Sequence, residues 1–396
     1  AVEGGGTSGL AAGEYDITVW VAEAAVGLTR QQIDRFNASN EYGIVFNAAV
    51  EAVSEDDAAA RMIADAEAGG DIFCFTQDRL ARLVQSGALS RLGVQASETV
   101  TDADDPRIAA AAAIGSDLYA YPLTADGCCI MYYDRSVIPD ADVDSLEALI
   151  ADCEAAGRSF SMETDTSAWY MASFFFAAGC VSEWTTDADG AFISVNDTFD
   201  SPEGLIAVRG MQKLVASPIY LSSSEGESFE RGAAVVVTDA RAYGTVSSIL
   251  GGDMGVADLP SFEVDGVGYH MGSYSGCRLL GVKPQTDAAK TAALHRLAQY
   301  LTCEDAQTER FEALSWCPAD RNAQTDEAVQ TDPCLAALTA QLPYSVPQGQ
   351  IPDSWWELAR VIAVDVENAR SEEELQEALD SYRDGLRGLY VMSAEE

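Results

Sequence analysis

The sequence predicts an α/β protein of two lobes, each built on a doubly wound sheet, and three observations support this prediction. Strand and helix patterns alternate along the first 75 residues, which is typical of a parallel sheet with helical crossovers. Strand patterns then return as a separate set in the second hundred residues and beyond. The chain also has 396 residues, more than the roughly 250–300 at which one hydrophobic core stops growing.

The first lobe opens with three strand patterns separated by two helix patterns. "YDITVWVAEA" (15–24) and "GIVFNAAV" (43–50) read as strands, and "TRQQIDRFNASN" (29–40) has the apolar spacing of a helix. A second helix pattern, stopped by a glycine pair, leads into "DIFCF" (71–75). Ligands gather at the carboxyl ends of strands in such sheets. We therefore expect Glu23 and the stretch after Phe75 to lie near a binding crevice.

The later strand patterns indicate where the chain crosses between lobes. They occupy 118–138, 233–240, 255–260 and 277–282, and helix patterns dominate after residue 286. The strand near 277 is predicted to return to the first lobe, and more than one crossing makes a hinge. The predicted segments are a flexible tether of 1–14, a first lobe of 15–124 with 276–322, and a second lobe of 125–275 with 323–396.

The charge of the chain excludes one class of partner. The formal net charge is −41, which repels phosphate backbones and anionic lipid surfaces, and no basic cluster offers a footprint for nucleic acid. No apolar run approaches the about 20 residues that a membrane-spanning helix needs. We expect a monomer that binds no nucleic acid.

Nine cysteines and two histidines give little support to a metal site or a disulfide framework. The cysteines are odd in number and irregularly spaced, and no C-x-x-C occurs. One bridge among Cys303, Cys317 and Cys334 stays open because they lie close in sequence. We expect no metal and no cofactor.

Two adjacent tryptophans, Trp355 and Trp356, follow a proline-aspartate turn and precede a helix pattern. Neighbouring residues on a helix point about 100° apart, so one core-facing stripe does not easily bury both indoles. Either one ring packs in the core while the other lies against a loop, or one ring is a platform for a flat ligand.

Five stretches resemble the maltose- and maltodextrin-binding proteins, which belong to the extracellular solute-binding family of ABC sugar importers. They occur in the order of that family and span most of the chain. They are "DIFCFTQDRLARLVQSGALSRL" (71–92), "GSDLYAYPLTADG" (115–127), "ERGAAVVVTDARAYG" (230–244), "LPSFEVDGVGYHMGSYSGCRLLGV" (259–282) and "IPDSWWELARVIAVDV" (351–366).

The resemblance implies a fold, a function and a location. The fold would be the two-lobed periplasmic-binding-protein fold, type II-like, with a cleft between the lobes. The protein would capture maltose- or maltodextrin-type α-glucan oligosaccharides and deliver them to the membrane subunits of an ABC importer. It would be a bacterial extracellular or periplasmic protein, or a lipoprotein anchored at the cell surface, and not an enzyme.

The resemblance also implies which residues hold the sugar. Asp78, Arg79 and Asp126 would bind hydroxyls, Glu23 lies near a polar position of the first loop, and four aromatic residues would stack on sugar rings. These are Phe75, Trp169, Tyr243 and Trp355, with Trp356 packed behind Trp355 or the two reversed. Phe75 replaces a frequent tryptophan and Arg241 replaces an aromatic residue, and both departures leave the preferred sugar open.

Elementary chemistry favours the same residue types. A pyranose ring has a weakly polar CH face and a rim of hydroxyls, so a sugar site needs aromatic platforms edged by carboxylates and guanidinium groups. Several of these residues also have a structural alternative: Asp78 and Arg79 as a helix cap and surface ion pair, Asp126 as a turn residue before Gly127, Trp169 as core, and Arg241 as the partner of Asp239.

Two rival functions stay open. Asp78 and Asp126 could be the paired carboxylates of a glycoside hydrolase, although no general acid in an apolar environment is evident. The same scaffold could also bind another oligosaccharide, a peptide or a polyamine; a cationic solute would suit the charge but would not need Arg79 or Arg241.

Overall fold

The computed structural model describes residues 10–187 and 192–391, and the chain divides into two compact units. The first unit comprises Ala1–Asp126 and Gly276–Gln330, and the second comprises Gly127–Ser275 and Thr331–Glu396. The predicted crossings lay after residues 124, 275 and 322. Most of the predicted tether, 1–9, falls outside the described residues, and the first strand begins at Gly13 rather than at residue 15.

The first unit contains a five-stranded mixed sheet. In spatial order its strands are Ile44–Ala52, Gly13–Val21, Ile72–Thr76, Arg278–Val282 and Ala120–Pro122. The first three run parallel, and Arg278–Val282 is antiparallel to both of its neighbours. The central strand is buried along Ile72–Phe75, which matches the continuous apolar run expected of a strand covered on both faces.

Four helices of the first unit begin at a polar cap: Glu55–Ala64, Pro106–Ala111, Ala288–Leu301 and Arg321–Gln324. Ser54 and Asp287, for example, accept hydrogen bonds from the backbone N–H groups of Asp57 and Ala289 and so satisfy free amides of the first turn. A short hairpin of Ala113–Ile114 and Asp117–Leu118 turns at Gly115, where φ is +61°. The helices are Val26–Ser39, Glu55–Ala64, Leu80–Gln85, Val94–Ala103, Pro106–Ala111, Ala288–Leu301, Glu304–Leu314, Arg321–Gln324 and Glu327–Thr331, the last reaching into the second unit.

The second unit contains another five-stranded sheet. In spatial order its strands are Tyr220–Leu221, Ser159–Ser161, Ala233–Thr238, Ile130–Asp134 and Met254–Ala257. Ile130–Asp134 alone runs against the others. Three two-stranded ladders accompany this sheet: Ser182–Thr186 with Phe192–Asp197, Ser261–Val264 with Val267–His270, and Ser273–Ser275 with Ser345–Pro347.

The helices of the second unit surround one large apolar core. Phe174, Phe199, Phe262 and Trp355 are among its fully buried side chains, each of which stabilises the fold by removing apolar surface from water. The helices are Leu146–Ala156, Ala168–Ala177, Pro202–Val215, Tyr243–Leu250, Pro333–Gln341, Asp353–Ala359, Val361–Asn368 and Glu372–Leu389.

The predicted fold class is confirmed, since each unit is an α/β structure built on its own sheet. Among the described residues no disulfide joins Cys303, Cys317 and Cys334, so the bridge left open among them does not form here. Within the described residues, no helix has the length and apolarity needed to cross a membrane.

Candidate functional site

The carboxyl ends of several strands of the first sheet meet at one edge, which we call the first edge. Ile72–Thr76 and Ala120–Pro122 run the same way because both pair antiparallel with Arg278–Val282. Arg278, which starts that strand, lies opposite Thr76 and so shares the edge. The charged residues at or directly after these strand ends are Glu23, Glu55, Asp78, Arg79, Asp126 and Arg278.

Arg278 is the centre of the first edge. Its Nη1 donates a 2.7 Å hydrogen bond to Oδ2 of Asp126, and its Nε lies 3.0 Å from Oε1 of Glu55. The guanidinium carbon also sits 4.0 Å from the ring centroid of Trp316, within the range of a cation–π contact. The side chains of these three charged residues are only 14–18% exposed, so their attraction is weakly screened.

Asp126 is held at both carboxylate oxygens. The hydroxyl of Thr124 donates to Oδ1 at 2.7 Å, while that same hydroxyl oxygen accepts the backbone N–H of Arg278 at 3.1 Å. Glu55 is bound less well, because its contact with Arg278 is close but lacks the alignment of a hydrogen bond. Asp126 and Arg278 thus present polar atoms in fixed positions, which lowers the cost of binding a hydroxyl-rich ligand.

The other charged residues of the first edge are more exposed. Arg79 contacts Asp78 at 3.2 Å and Asp56 at 3.3 Å, with 36–37% of the Arg79 and Asp78 side chains exposed. A surface ion pair between Asp78 and Arg79 is the structural alternative predicted from the sequence, although Asp78 caps no helix. Exposed pairs of this kind add about 0–1 kcal/mol to stability. Glu23 is exposed at the start of the 3-10 turn Glu23–Ala25.

Phe75 does not offer a stacking face, and the prediction for this residue is wrong. Its side chain is 0% exposed, because Ile72–Thr76 is a central strand and Phe75 lies within it rather than after it. Its ring packs 5.5 Å from that of Phe73 and against Gly281, where an added Cβ would lie 3.0 Å from the ring. Phe75 is therefore part of the core of the first unit.

The second sheet has a comparable edge, which we call the second edge. Four of its strands run the same way, and Ala233–Thr238 is followed there by Asp239, Arg241 and Tyr243. Arg241 lies 2.5 Å from Oδ2 of Asp239, whose other oxygen accepts the backbone N–H of Arg241 at 2.8 Å. Arg241 is 80% exposed, and its ion pair with Asp239 is the structural alternative predicted from the sequence.

Two aromatic side chains of the second unit, Tyr243 and Trp169, are partly exposed. Tyr243 begins the helix Tyr243–Leu250 and is partly buried; burial raises the pKa of its phenol, and the charge of Asp332 adds to the shift. Trp169 lies in the first turn of Ala168–Ala177, also partly buried, with its ring edge-on to Tyr170 at 5.2 Å. Both aromatic residues named in the sequence thus retain exposed surface that a ligand could cover.

The tryptophan pair is oriented opposite to the preferred prediction. Trp355 is 0% exposed, its Nε1 donates a 2.8 Å hydrogen bond to the hydroxyl of Tyr382, and its ring packs edge-on to Phe199. Trp356 is partly exposed and contacts the ring of Tyr274 at 5.4 Å. The assignment of Trp355 as the stacking ring is therefore wrong. The reversed order, which the sequence analysis also allowed, agrees with the burial of the two rings, and the role of Trp356 in binding stays a prediction.

A comparison with family models identifies the chain. The model of the bacterial extracellular solute-binding proteins matches residues 31–337, well over half of the sequence. The chain belongs to this family. No curated protein sequence matches it.

Solved structures of other solute-binding proteins share the fold of this one. A maltodextrin-binding protein from L. casei without ligand has a TM-score of 0.80 at 18% identity, covering 94% of this chain and 99% of that one. A cyclo/maltodextrin-binding protein complexed with maltotetraose has a TM-score of 0.75 at 19% identity, covering 95% and 98%. The maltose-binding protein MalE from Listeria monocytogenes, in complex with maltose, has a TM-score of 0.75 at 14% identity, covering 96% and 99%. At these identities the likeness establishes the two-lobed fold and not the ligand.

Three residues of this solute-binding protein escaped the sequence reasoning. Glu55, Arg278 and Trp316 complete the cluster around Asp126. A signal for Arg278 existed, since the first residue of an antiparallel strand shares an edge with the last residues of its neighbours. Glu55 and Trp316 carry no such signal, because their contacts depend on how separate segments pack.

The donor set of this solute-binding protein does not resemble a metal centre. Among the residues that the structure describes, no group of three or more His, Cys, Asp or Glu side chains is arranged to hold a metal ion. The carboxyl group of Asp126 is bound by a guanidinium and a hydroxyl, and carboxylate oxygens of this kind can also accept hydrogen bonds from ligand hydroxyls.

Proposed function

We propose that this protein binds α-linked gluco-oligosaccharides of the maltodextrin type and delivers them to an ABC importer. The observation that carries the proposal is the cluster of Asp126, Arg278 and Glu55 on the ring of Trp316. Sugar hydroxyls both donate and accept, so they match a site that presents carboxylate acceptors and guanidinium donors side by side.

The second unit contributes the other half of the required chemistry. Trp169, Tyr243 and Trp356 are partly exposed aromatic side chains suited to the CH face of a pyranose. The structural relatives in complex with maltotetraose and with maltose support this class of ligand. In this proposal Trp356 takes the role first given to Trp355, and Phe75 has none.

We also propose that binding closes a hinge. The chain passes between its two units at three places, after Asp126, Ser275 and Gln330, and a ligand that engages both units stabilises the closed form by its differential affinity. Small-angle scattering should give a smaller radius of gyration with saturating maltotetraose. An unchanged radius would count against the hinge but would leave sugar binding to be judged by titration.

The proposal is tested by calorimetric titration with maltotetraose. Asp126→Asn keeps the size of the side chain but removes the charge that holds Arg278, so affinity should fall roughly tenfold or more. Asp117→Asn is the matched control, because Asp117 is a 43% exposed carboxylate paired with Arg91 outside the cluster. Equal affinity in Asp126→Asn would remove Asp126 from the site.

Two further measurements separate the rival functions. Analysis of the incubated maltotetraose for shorter products distinguishes a binding protein from a hydrolase. Titration with spermidine and with a short peptide distinguishes a sugar site from the same scaffold with another solute. If spermidine gave saturable heat that Asp126→Asn abolished, and maltotetraose gave none, the proposed ligand would be a polyamine rather than a sugar.

A further inference from the structure

The first unit contains a cavity of about 600 Å³ that shares no lining residue with the first edge. It lies against the helices Val26–Ser39, Val94–Ala103 and Ala288–Leu301. Its volume is within the roughly 300–1,000 Å³ typical of sites for small organic ligands. The maltodextrin proposal gives this cavity no role.

Aromatic rings form much of its wall. Phe36, Tyr42, Tyr121 and Tyr300 all line it, and the rings of Phe36 and Tyr300 meet edge-on at 5.2 Å. The guanidinium of Arg296 already packs against this wall, 5.0 Å from the ring centroid of Tyr42. The faces of such rings attract cations, most strongly where water is excluded.

Two buried carboxyl groups, Asp104 and Asp320, line the same cavity. They are 4% and 3% exposed, and the two residues are joined by a backbone bridge. Oδ1 of Asp104 accepts a 3.3 Å hydrogen bond from Gln307. Oδ1 of Asp320 accepts the backbone N–H groups of Asn322 and Ala323 at 2.8 and 3.0 Å.

The second oxygen of each carboxyl group has no such partner. Among the described residues, Oδ2 of Asp104 and Oδ2 of Asp320 accept no hydrogen bond, and neither group belongs to an ion pair within 4.0 Å. A buried carboxylate without a cation is costly, and a ligand that supplies one would relieve that cost.

The lining holds more acidic than basic residues. Glu41 and Glu304 add two exposed carboxylates, and Arg296 is the basic residue of the lining. Such a lining repels anions and gains little from a neutral ligand. We propose that this cavity binds a small organic cation, with its ammonium group at Asp104 and Asp320 and its apolar body on the aromatic wall.

The probe is 2-phenylethylammonium, titrated into the full chain by calorimetry at pH 8, with 2-phenylethanol as the neutral ligand of nearly equal shape. The amine should bind saturably at millimolar concentration or below, and the alcohol at least roughly tenfold more weakly. Equal binding of both would overturn the proposal, because the charge would then contribute nothing.

Substitutions locate the binding. Asp104→Asn removes one buried charge and should weaken the amine roughly tenfold, whereas Asp102→Asn removes an exposed carboxylate two residues away and should not. Tyr42→Leu tests the wall in the same way without touching a buried charge. Asp126→Asn should leave amine binding intact, which separates this cavity from the proposed sugar site.

Two further results would overturn the proposal. One is the absence of any saturable binding of the amine to the native chain. The other is unchanged affinity in both Asp104→Asn and Tyr42→Leu, since binding would then lie elsewhere.

Discussion

The two edges hold similar residue types in different states. At the first edge Arg278 is 16% exposed and is fixed by Asp126, Glu55 and the ring of Trp316. At the second edge Arg241 is 80% exposed and contacts the nearby Asp239, while the part-buried surface is aromatic. The comparison teaches that charge is pre-positioned at one edge and ring surface at the other. A sugar needs both, and we infer that the edges divide this work.

The largest expected effect distinguishes the two tryptophans, because one is expected to stabilise the fold and the other to bind the sugar. Trp355→Ala should cost about 3–5 kcal/mol of unfolding free energy, because it empties a fully buried site and removes the hydrogen bond to Tyr382. Trp356→Ala should lower the unfolding free energy much less, but it should weaken the binding of maltotetraose by about 1–3 kcal/mol. Chemical denaturation and calorimetry on both variants check this, with Trp355→Phe as a volume-sparing control.

Reversed phenotypes would contradict the burial of Trp355. If both changes reduced stability and neither altered affinity, the aromatic role of the second unit would rest on Trp169 and Tyr243 alone.

Asp104 is a carboxyl group that lies outside both edges, and its environment differs from that of Asp126. Burial raises the pKa of Asp104 to about 7, with Asp320 and Asp105 raising it further while the hydrogen bond from Gln307 and the charge of Arg321 oppose the shift. Since the folded pKa lies above the ordinary value of 3.8, the stability that Asp104 contributes is full below about pH 4. It is lost as the pH rises through about 7.

Asp104→Asn should therefore remove this loss. Relative to the native chain, the variant should gain up to a few kcal/mol, of order 1.4 per pKa unit, at pH 8 and little at pH 4. Thermal unfolding of both proteins at the two pH values measures the difference. Glu41 and Glu304 line the same cavity, so Glu304→Gln serves as the control, and an equal shift in that variant would assign the effect to general charge.

Arg278→Met should lower both stability and sugar affinity. It leaves Asp126 and Glu55 without their cation, at about 1–3 kcal/mol in unfolding free energy, and removes donors for sugar hydroxyls. Arg91→Met is the control, since the pair of Arg91 with Asp117 is exposed. Loss of stability with unchanged affinity would make the cluster a structural feature only.

The smallest expected effect is that of Arg241→Ala. With the side chain 80% exposed, stability should change by less than about 0.5 kcal/mol. Maltotetraose affinity should also change little if aromatic surface defines the second edge. A tenfold loss of affinity would instead show that a guanidinium group binds the sugar at both edges, and the contrast between the edges would not hold.

The order of strands and helices could be predicted because periodicity and caps are local. Asp126 was assigned through the resemblance to the maltodextrin-binding proteins, which needs no knowledge of packing. Phe75 was misassigned because the strand continues to Thr76, so one residue of register moved a side chain from the edge to the core. Arg278 lies 152 positions from Asp126, and no local pattern reports such a contact.

The tryptophan pair illustrates the same limit. Sequence spacing establishes that two neighbouring indoles on a helix point in different directions. Which of them is buried depends on Tyr382 and Phe199, which come from distant segments. The orientation is therefore a property of tertiary packing.

The central claim is that the first edge and the exposed aromatic rings of the second unit serve one ligand. Its most direct test is a calorimetric titration of maltotetraose into the native chain, Asp126→Asn and Trp356→Ala. The account predicts one sugar per native chain, and an affinity that falls roughly tenfold or more in each variant with the stoichiometry unchanged. Absence of binding to the native chain, or a loss confined to only one of the two variants, would contradict it.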